Sequence, residues 1–342
     1  MVHLSSAPGE KFKGRKIGGS HPILPYEVSP VKTIPESFKG DVPHYSTNFN
    51  LFKKNKNVNP HEENLAETVA IYKDENSLKK LRNASKLAAE MLYEAKKIVT
   101  QFDSMKDQDL TTDAIDSAIH EKILERGGYP SPLNYNGFPK SICTSVNEIA
   151  CHGIPNLRPL QFGDLISIDV SVYLDGFHGD SCASFIVGAD APNYGEIISH
   201  NDELINQIER MNRLIEATKE ARKNAIDVCI AGNTISAIGH AVQEVANAYE
   251  FRPMKNVYGH GVGRHLHMLP RIKHFKNKDD VILEEGMALT IEPVLVEGHH
   301  AHSLWSDSWT NSTVDGGFAC QFEHTVLIKE YGPAEILTKL QE

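Results

Sequence analysis

Four acidic residues of this chain stand where an acid is hard to accommodate. Asp169 lies in "ISIDVSV", Asp180 in "GDSCASFIV", Glu292 in "LTIEPVL" and Glu323 in "CQFEHTVLI", each an apolar, strand-like run. Burying a carboxylate is costly unless a cation or a set of donors compensates it, so the four together point to a shared metal site. Several carboxylates with few histidines suit hard divalent ions, Mn²⁺, Fe²⁺ or Co²⁺, ahead of zinc. A carboxylate-bridged pair of such ions can lower the pKa of a water and clamp a tetrahedral intermediate.

A second stretch with chemical potential is "GHGVGRHLHMLP" (259–270), with three histidines and three glycines in twelve residues. His260 and His267 are seven positions apart, so a plain strand would point them to opposite faces. The glycines must bend the backbone if both are to serve one site. The fragment "ACHGIP" (150–155) resembles "YGHGVG" (258–263) and adds His152 as a candidate. Signatures of other chemistries are missing: there is no His-Glu-x-x-His, no Gly-x-Ser-x-Gly and no P-loop, and "GHGVGR" does not have the Gly-x-Gly-x-x-Gly spacing. Cys182 and Ser171 lie beside the acids, but no base is placed by sequence to activate either.

These residues need elements to carry them. From about residue 75, "ENSLKKLRNASKLAAEMLYEAKKIV" predicts a helix with one broad apolar face, and a second helix is expected over 111–126 with Thr111 or Thr112 as its cap. "GGYPSPLNYNGFPKS" is turn-rich and closes that unit. "DLISIDVSVYL" and "HGDSCASFIV" flank Asp175-Gly176, the signature of a two-residue hairpin loop. Such a loop sets Leu174 opposite Phe177, Ser171 opposite Asp180 and Asp169 opposite Cys182. Asp169 and Asp180 then share a face as diagonal neighbours, their Cβ atoms ~7–8 Å apart. The same order of elements recurs at an offset of 123 residues, which aligns Thr111 with Thr234, Ile115 with Ile238, Ile119 with Val242 and Asp169 with Glu292. The expected architecture is two α-α-β-hairpin units related by pseudo-twofold symmetry in one α+β domain.

Composition sets the outer limits. At 342 residues, 40% hydrophobic and 23% charged, the chain has an ordinary globular make-up. No apolar run approaches the ~18 residues of a membrane span. A formal charge of −10 argues against a nucleic-acid-coating protein. The five cysteines (143, 151, 182, 229, 320) form no Cys-x-x-Cys pair, as expected of reduced thiols in an intracellular compartment. Residues 1–60 carry nine Lys/Arg against four Asp/Glu and hold seven of the 17 prolines. They read as a basic, Pro-rich extension that wraps or dangles from a domain spanning 61–342. Their first stretch, "MVHLSSAPGEKFKGRKIGG", suits a transit peptide and a solvated tail equally.

Five stretches occur in one order across roughly 75–340: "SPLNYNGFPKSICTSVNEIACHGIP", "GDLISIDVSVYLDGFHGD", "GHGVGRHLHMLP", "EEGMALTIEP" and "CQFEHTVLI". With them the chain resembles the type I methionine aminopeptidases of the pita-bread (creatinase/aminopeptidase-like) fold. The resemblance implies a central antiparallel sheet and removal of the initiator methionine from nascent chains whose second residue is small. It implies two divalent ions (Co, Mn, Fe or Zn) held by Asp169, Asp180, His260, Glu292 and Glu323, with Asp180 and Glu323 bridging. His152 and His267 match family histidines that contact substrate. In the implied reaction a metal-activated water attacks the methionyl carbonyl. His267 would hydrogen-bond the peptide being cut, His152 would handle the proton near the scissile nitrogen, and Glu292 would accept the water's proton. Tyr135, Phe138, Cys143, Leu266 and Trp309 match positions lining the methionine side-chain pocket, and an apolar, aromatic-rimmed slot with a soft sulfur suits a thioether.

Other features refine the placement. Only 25 positions separate His267 from Glu292, too few for the helical insertion of type II enzymes. No cysteine precedes Cys143, which removes the N-terminal zinc fingers of many cytosolic relatives, and "GMALTIEP" and "ILTKL" lean toward the organellar branch. A monomer without DNA or membrane partners is expected, with ribosome docking as one role for residues 1–60. Residues 190–203 lengthen the linker between halves, and "GHHAHSLWSD" (298–307) is His-rich. His265, His299, His300 and His302 read as solvated, with a mobile loop bordering the site as the alternative for 298–307. An Xaa-Pro peptidase of the same fold and a non-catalytic pita-bread binding protein are the alternatives. The "SPLNYNGFPKS" segment counts against the first and retention of all five ligand positions against the second.

Overall fold

The computed structural model describes residues 23–46, 66–103, 110–199 and 201–339. The transit-peptide expectation falls on residues 1–19, outside the described residues. The first half of the fold runs from β1 (Ala66–Val69) through α1 (Glu75–Thr100) and α2 (Thr112–Glu125) to β2 (Tyr129–Pro130), β3 (Cys143–Val146), β4 (Ile149–Cys151), β5 (Leu165–Leu174) and β6 (Phe177–Ile186). Asp74 caps α1 by accepting Ser77 N–H at 2.8 Å, and Thr111 caps α2 by accepting Ala114 N–H at 3.1 Å. The expected apolar face of α1 is buried, with Leu81, Leu87, Ala88, Met91, Leu92 and Ala95 all inside. It packs with Ile115, Ile119 and Ile123 of α2 against Ile166, Ile168, Val170 and Val172 of β5.

The hairpin forms in the expected register, Leu174 opposite Phe177, Ser171 opposite Asp180 and Asp169 opposite Cys182. Asp175 (φ 52°) and Gly176 (φ 86°) both take left-handed backbone, which matches the turn to the strands' twist.

The second half repeats the plan. A short helix α3 (Tyr194–Ile198) fills the lengthened linker, followed by α4 (Asp202–Asp227), α5 (Ser236–Ala248), β7 (Arg252–Pro253), β8 (Tyr258–Gly261), β9 (Met268–Lys273), β10 (Ala288–Ile291) and β11 (Val294–Val296). After them come β12 (His302–Leu304), β13 (Asn311–Thr313), β14 (Ala319–Gln321), β15 (His324–Leu327) and β16 (Glu335–Ile336). Three details carry the same offset between the halves. Thr111 bridges Pro159 while Thr234 bridges Ile282. The turns before β5 and β10 each place a glycine at positive φ, Gly163 at 85° and Gly286 at 87°. β5 and β10 themselves begin at equivalent positions, Leu165 and Ala288.

The halves are joined at the centre of the sheet by Glu323 N–H donating to Cys182 O at 2.8 Å and by Thr325 Oγ1–H donating to Asp180 O at 2.8 Å. The helices lie on one side, where Met211, Leu214, Ile238 and Val242 cover Leu289, Ile291 and Val326. The acid-bearing side is left free for a site.

Residues 23–46 run along the rest of the chain as a strap. Ile23 N–H bonds the Glu148 carboxylate, Glu27 O accepts Leu157 N–H at 2.9 Å, and Ser29 Oγ–H donates to Asp113 at 2.7 Å. Lys32 pairs with the buried Asp116, and Tyr45 is buried at the far end. This part of the extension therefore wraps; it does not dangle. None of the five cysteines is in a disulfide, and all are buried.

Candidate active site

One cavity of about 330 Å³ opens on the acid-bearing side of the sheet, and every residue named above as a ligand, substrate contact or pocket position lines it. Asp169 stands mid-β5 and Asp180 on β6. Asp180 and Glu323 are buried, while Asp169 is half-buried because it faces the cavity. Asp169, Asp180 and Glu323 each offer an oxygen within 4.8 Å of the others. His260, on β8, extends the cluster: its Nε2 is 3.8 Å from Asp180 Oδ2 and 3.6 Å from Glu292 Oε1. Glu292 follows β10 directly, at a break in the ladder that includes Pro293, which has no N–H to give, and that resumes in the same register at Val294 opposite Gln321.

Protonation states follow from the partners. His260 Nδ1 lies 3.0 Å from Gly261 O, and a carbonyl only accepts, so the proton sits on Nδ1. The lone pair of Nε2 then faces the carboxylates, an arrangement that suits a cation between them. Burial first, then the charges of its neighbours, holds each of the Asp169 and Glu323 carboxyls well above the usual carboxylate range. Burial also pushes Asp180 up to about 6, against the pull of a 2.7 Å bond from Ser171 Oγ–H. Asp169 Oδ1 and Glu323 Oε1 are buried and accept no hydrogen bond among the described residues. Buried like charges with bare oxygens are unfavourable unless a cation is shared between them, so this donor set fits a hard divalent metal.

The other end of the cavity is apolar. Cys143 pairs with Asp169 across β3 and β5, so the thiol stands beside the acid on the same face. Burial keeps that thiol's pKa well above its ordinary value, and it stays uncharged. Phe138 meets Trp309 edge-on, with ring centroids 5.2 Å apart, and the His152 ring is 6.1 Å from Trp309. Leu266 is buried.

His267 Nδ1 lies 2.7 Å from Tyr135 Oη, and its ring centroid is 4.3 Å from that of His260. Burial, with the nearby His152 and Arg271, pushes His267 down to about 3, so the imidazole is neutral at physiological pH. His152 has φ 55°, uncommon for a residue with a Cβ. Strain of this kind costs on the order of 1 kcal/mol. It is followed by Gly153, where a Cβ would meet Thr144 O at 2.1 Å.

Two readings need correction. The glycines do not simply bend one strand to bring His260 and His267 together; His260 lies in β8 and His267 in the segment that folds back from it, immediately before β9, so that the rings meet. His302 is not simply solvated, because β12 places it in the cavity wall beside Leu304. His265 is exposed, as expected, and meets the His44 ring of the strap at 5.7 Å. The structure also supplies supports that single residues did not signal. Thr290 Oγ1–H donates to Glu292 at 2.7 Å, Gln321 Nε2–H donates to it at 3.3 Å, and its N–H bonds His274 Nε2 at 3.0 Å. Ser171, opposite Asp180 in the register, is a donor to that acid.

Residues 79–330 match the model of metallopeptidase family M24. The chain belongs to that family. The zebrafish (Danio rerio) protein named methionine aminopeptidase 1D, mitochondrial, is 43% identical over 270 residues, covering 79% of this chain and 72% of its own length. Methionine aminopeptidase 1 of Dictyostelium discoideum is 33% identical over 343 residues, 99% of this chain and 84% of its own. The crystal structure of methionine aminopeptidase from Rickettsia prowazekii is 35% identical, superposes with a TM-score of 0.69, and covers 80% of this chain and all of that one. The fold is thus the pita-bread fold of this family. As an M24 metallopeptidase the chain uses a divalent metal cofactor. Among the described residues, no helix is long and apolar enough to cross a membrane.

Proposed function

We propose that this chain is a methionyl aminopeptidase that removes the initiator methionine from nascent polypeptides whose second residue is small. Residues 61–342 form its catalytic domain and residues 1–60 an extension of it. The observation that carries this reading is the adjacency of Asp169 and Cys143, which joins a hard-donor cluster to a soft apolar slot in one cavity. A methionyl residue fits such a place with its amino group and carbonyl toward the acids and its thioether against Tyr135, Phe138, Cys143, Leu266 and Trp309.

Asp169, Asp180, His260, Glu292 and Glu323 would hold two ions of the Mn, Fe, Co or Zn type. When bound, these supply Lewis acidity toward the carbonyl and lower the pKa of a water. The chain's own groups do the rest. Glu292, steadied by Thr290 and Gln321, takes the proton from the attacking water. Neutral His267 donates a hydrogen bond to the peptide being cut as charge builds on it. His152 delivers a proton toward the departing nitrogen.

Reconstituting the metal-free protein with Mn²⁺ or Co²⁺ and offering Met-Ala-Ser, Met-Leu-Ser and Ala-Pro-Ser tests the assignment. Release of methionine from the first alone is expected. Cleavage confined to Ala-Pro-Ser would replace it with an Xaa-Pro specificity, and no turnover with any of the metals would leave a binding protein. We further propose an organellar location, supported by the zebrafish relative's mitochondrial name. A fluorescent protein fused to the C-terminus reads it out, and diffuse cytosolic signal would overturn it. Monomeric behaviour and ribosome docking through the extension are read by sedimentation of the purified chain with and without ribosomes. Self-association alone, or no co-sedimentation, would discard the respective proposal.

A further inference from the structure

The strap ends beside the chemistry. Tyr45 is 7% exposed, donates its hydroxyl to Ser131 O at 2.7 Å, and sits in a cluster with Tyr129 and Leu133. Its ring stands edge-on to Tyr135, centroids 5.1 Å apart at 79°. It also stacks at 6.3 Å on His178, whose Nδ1 is 2.9 Å from Ser131 Oγ. Tyr135 begins a 3-10 turn (Tyr135–Gly137) flanked by Asn134 at φ 65° and interrupted by Asn136 at φ 45°. Local bonds, Tyr135 N–H to Pro132 O at 3.0 Å and Phe138 N–H to Tyr135 O at 2.8 Å, hold its backbone. Tyr45 and His267 both pack against the Tyr135 ring, the latter 5.0 Å between centroids.

The bond between Tyr135 Oη and His267 Nδ1 can be made with either group as donor. Only when the phenol donates does His267 carry its proton on Nε2, the nitrogen left to act on a substrate. We propose that Tyr45 is a positioning residue: the strap holds Tyr135 against His267 and so keeps that imidazole in the Nε2–H tautomer. The role rests on the reading of His267 as a substrate contact. It makes the N-terminal strap part of the active site's supporting structure, acting through a pocket wall without touching substrate.

The test is a double-mutant cycle in the full chain, assayed with Mn²⁺ and Met-Ala-Ser, using Tyr45→Phe, Tyr45→Ala, Tyr135→Phe and the Ala/Phe pair. Tyr45→Phe keeps the ring and should stay within about 3-fold of the parent. Tyr45→Ala and Tyr135→Phe should each lower kcat about 10-fold or more with less change in KM, and the pair should be no worse than Tyr135→Phe alone. Imidazole ¹⁵N spectra of the metal-free protein give a readout that needs no turnover. His267 should show one tautomer in the parent and an average of two in Tyr45→Ala. Multiplicative losses in the pair, or an unchanged tautomer in Tyr45→Ala, would overturn the proposal. If Tyr45→Ala does not fold, Tyr45→Leu retains bulk without the aromatic edge and takes its place. Lys32→Ala, which loosens the strap elsewhere, should lower stability without moving the tautomer. A parent enzyme that releases no methionine would refute the functional reading, while the spectra would still judge Tyr45.

Discussion

Replacing Ser171 with Ala removes one hydrogen bond from the centre of the ligand cluster and little else. Ser171 is 4% exposed and its hydroxyl donates to Asp180 Oδ1 at 2.7 Å, so its loss strips a buried carboxylate of a donor. A hydrogen bond to a charged group contributes about 1.5–3 kcal/mol, which converts to about 10- to 100-fold in metal affinity. The pH dependence has a definite sign. Burial pushes the Asp180 pKa up to about 6, and the Ser171 bond opposes that rise. In Ser171→Ala the carboxyl therefore holds its proton to higher pH. An ion competes with that proton, so the affinity gap between parent and variant should be widest near about pH 6 and narrow toward about pH 8. Titration calorimetry of the metal-free proteins with Mn²⁺ across that range measures it. Affinities within twofold at every pH, or a gap that grows as pH rises, would refute the argument.

Chelation should lower the melting temperature, because an ion bound only by the folded state stabilises it by about 2.7 kcal/mol at a hundredfold excess over its dissociation constant. The drop should be larger near about pH 7.5 than near about pH 5. The raised pKa of Asp180 means the metal-free fold is favoured while that group is protonated and loses stability as pH rises from its unfolded value toward about 6. Differential scanning calorimetry with and without chelator reads both. Gly153→Ala should destabilise the protein by about 3 kcal/mol or displace His152, since the new Cβ would meet Thr144 O at 2.1 Å. Urea unfolding together with kcat measures the outcome, and a variant matching the parent in both is the contrary result. For Asp113, burial works against ionisation, but the Lys140 and Ser29 bonds prevail and hold its pKa below the ordinary value. It stabilises the fold above about pH 4, a contribution lost as pH falls through the depressed folded value. Asp113→Asn should flatten the acid limb of the stability profile, and an unchanged limb would show the pairing to be idle.

The hairpin was legible because its evidence is local. An Asp-Gly turn sets a register, side chains alternate, and Asp169 and Asp180 must then share a face. The repeat was legible because two similar halves meet similar constraints at equivalent positions, down to the bridges at Thr111 and Thr234 and the turn glycines Gly163 and Gly286. Apolar strands interrupted by acids marked the chemistry, since chain composition alone makes such acids expensive. The role of each side chain at the site rested on resemblance, not on spacing.

Other features were decided only by tertiary structure, because they depend on segments far apart in the chain. The meeting of His260 and His267 needed the β8–β9 fold-back, which glycine spacing permits without dictating its direction. His302 looked solvated in a polar run and became cavity wall when β12 paired with β13. The strap carries no periodicity, and its place is set by partners such as Asp116 and Ser131, 84 and 86 residues away from Lys32 and Tyr45. Residue type, local periodicity and turn chemistry marked which residues could bear the chemistry and how each half would fold. Closing the two halves on one another brought Asp169, Asp180, Glu323 and the two imidazoles of His260 and His267 to one cavity, because burial and partner geometry exist only once distant strands have met.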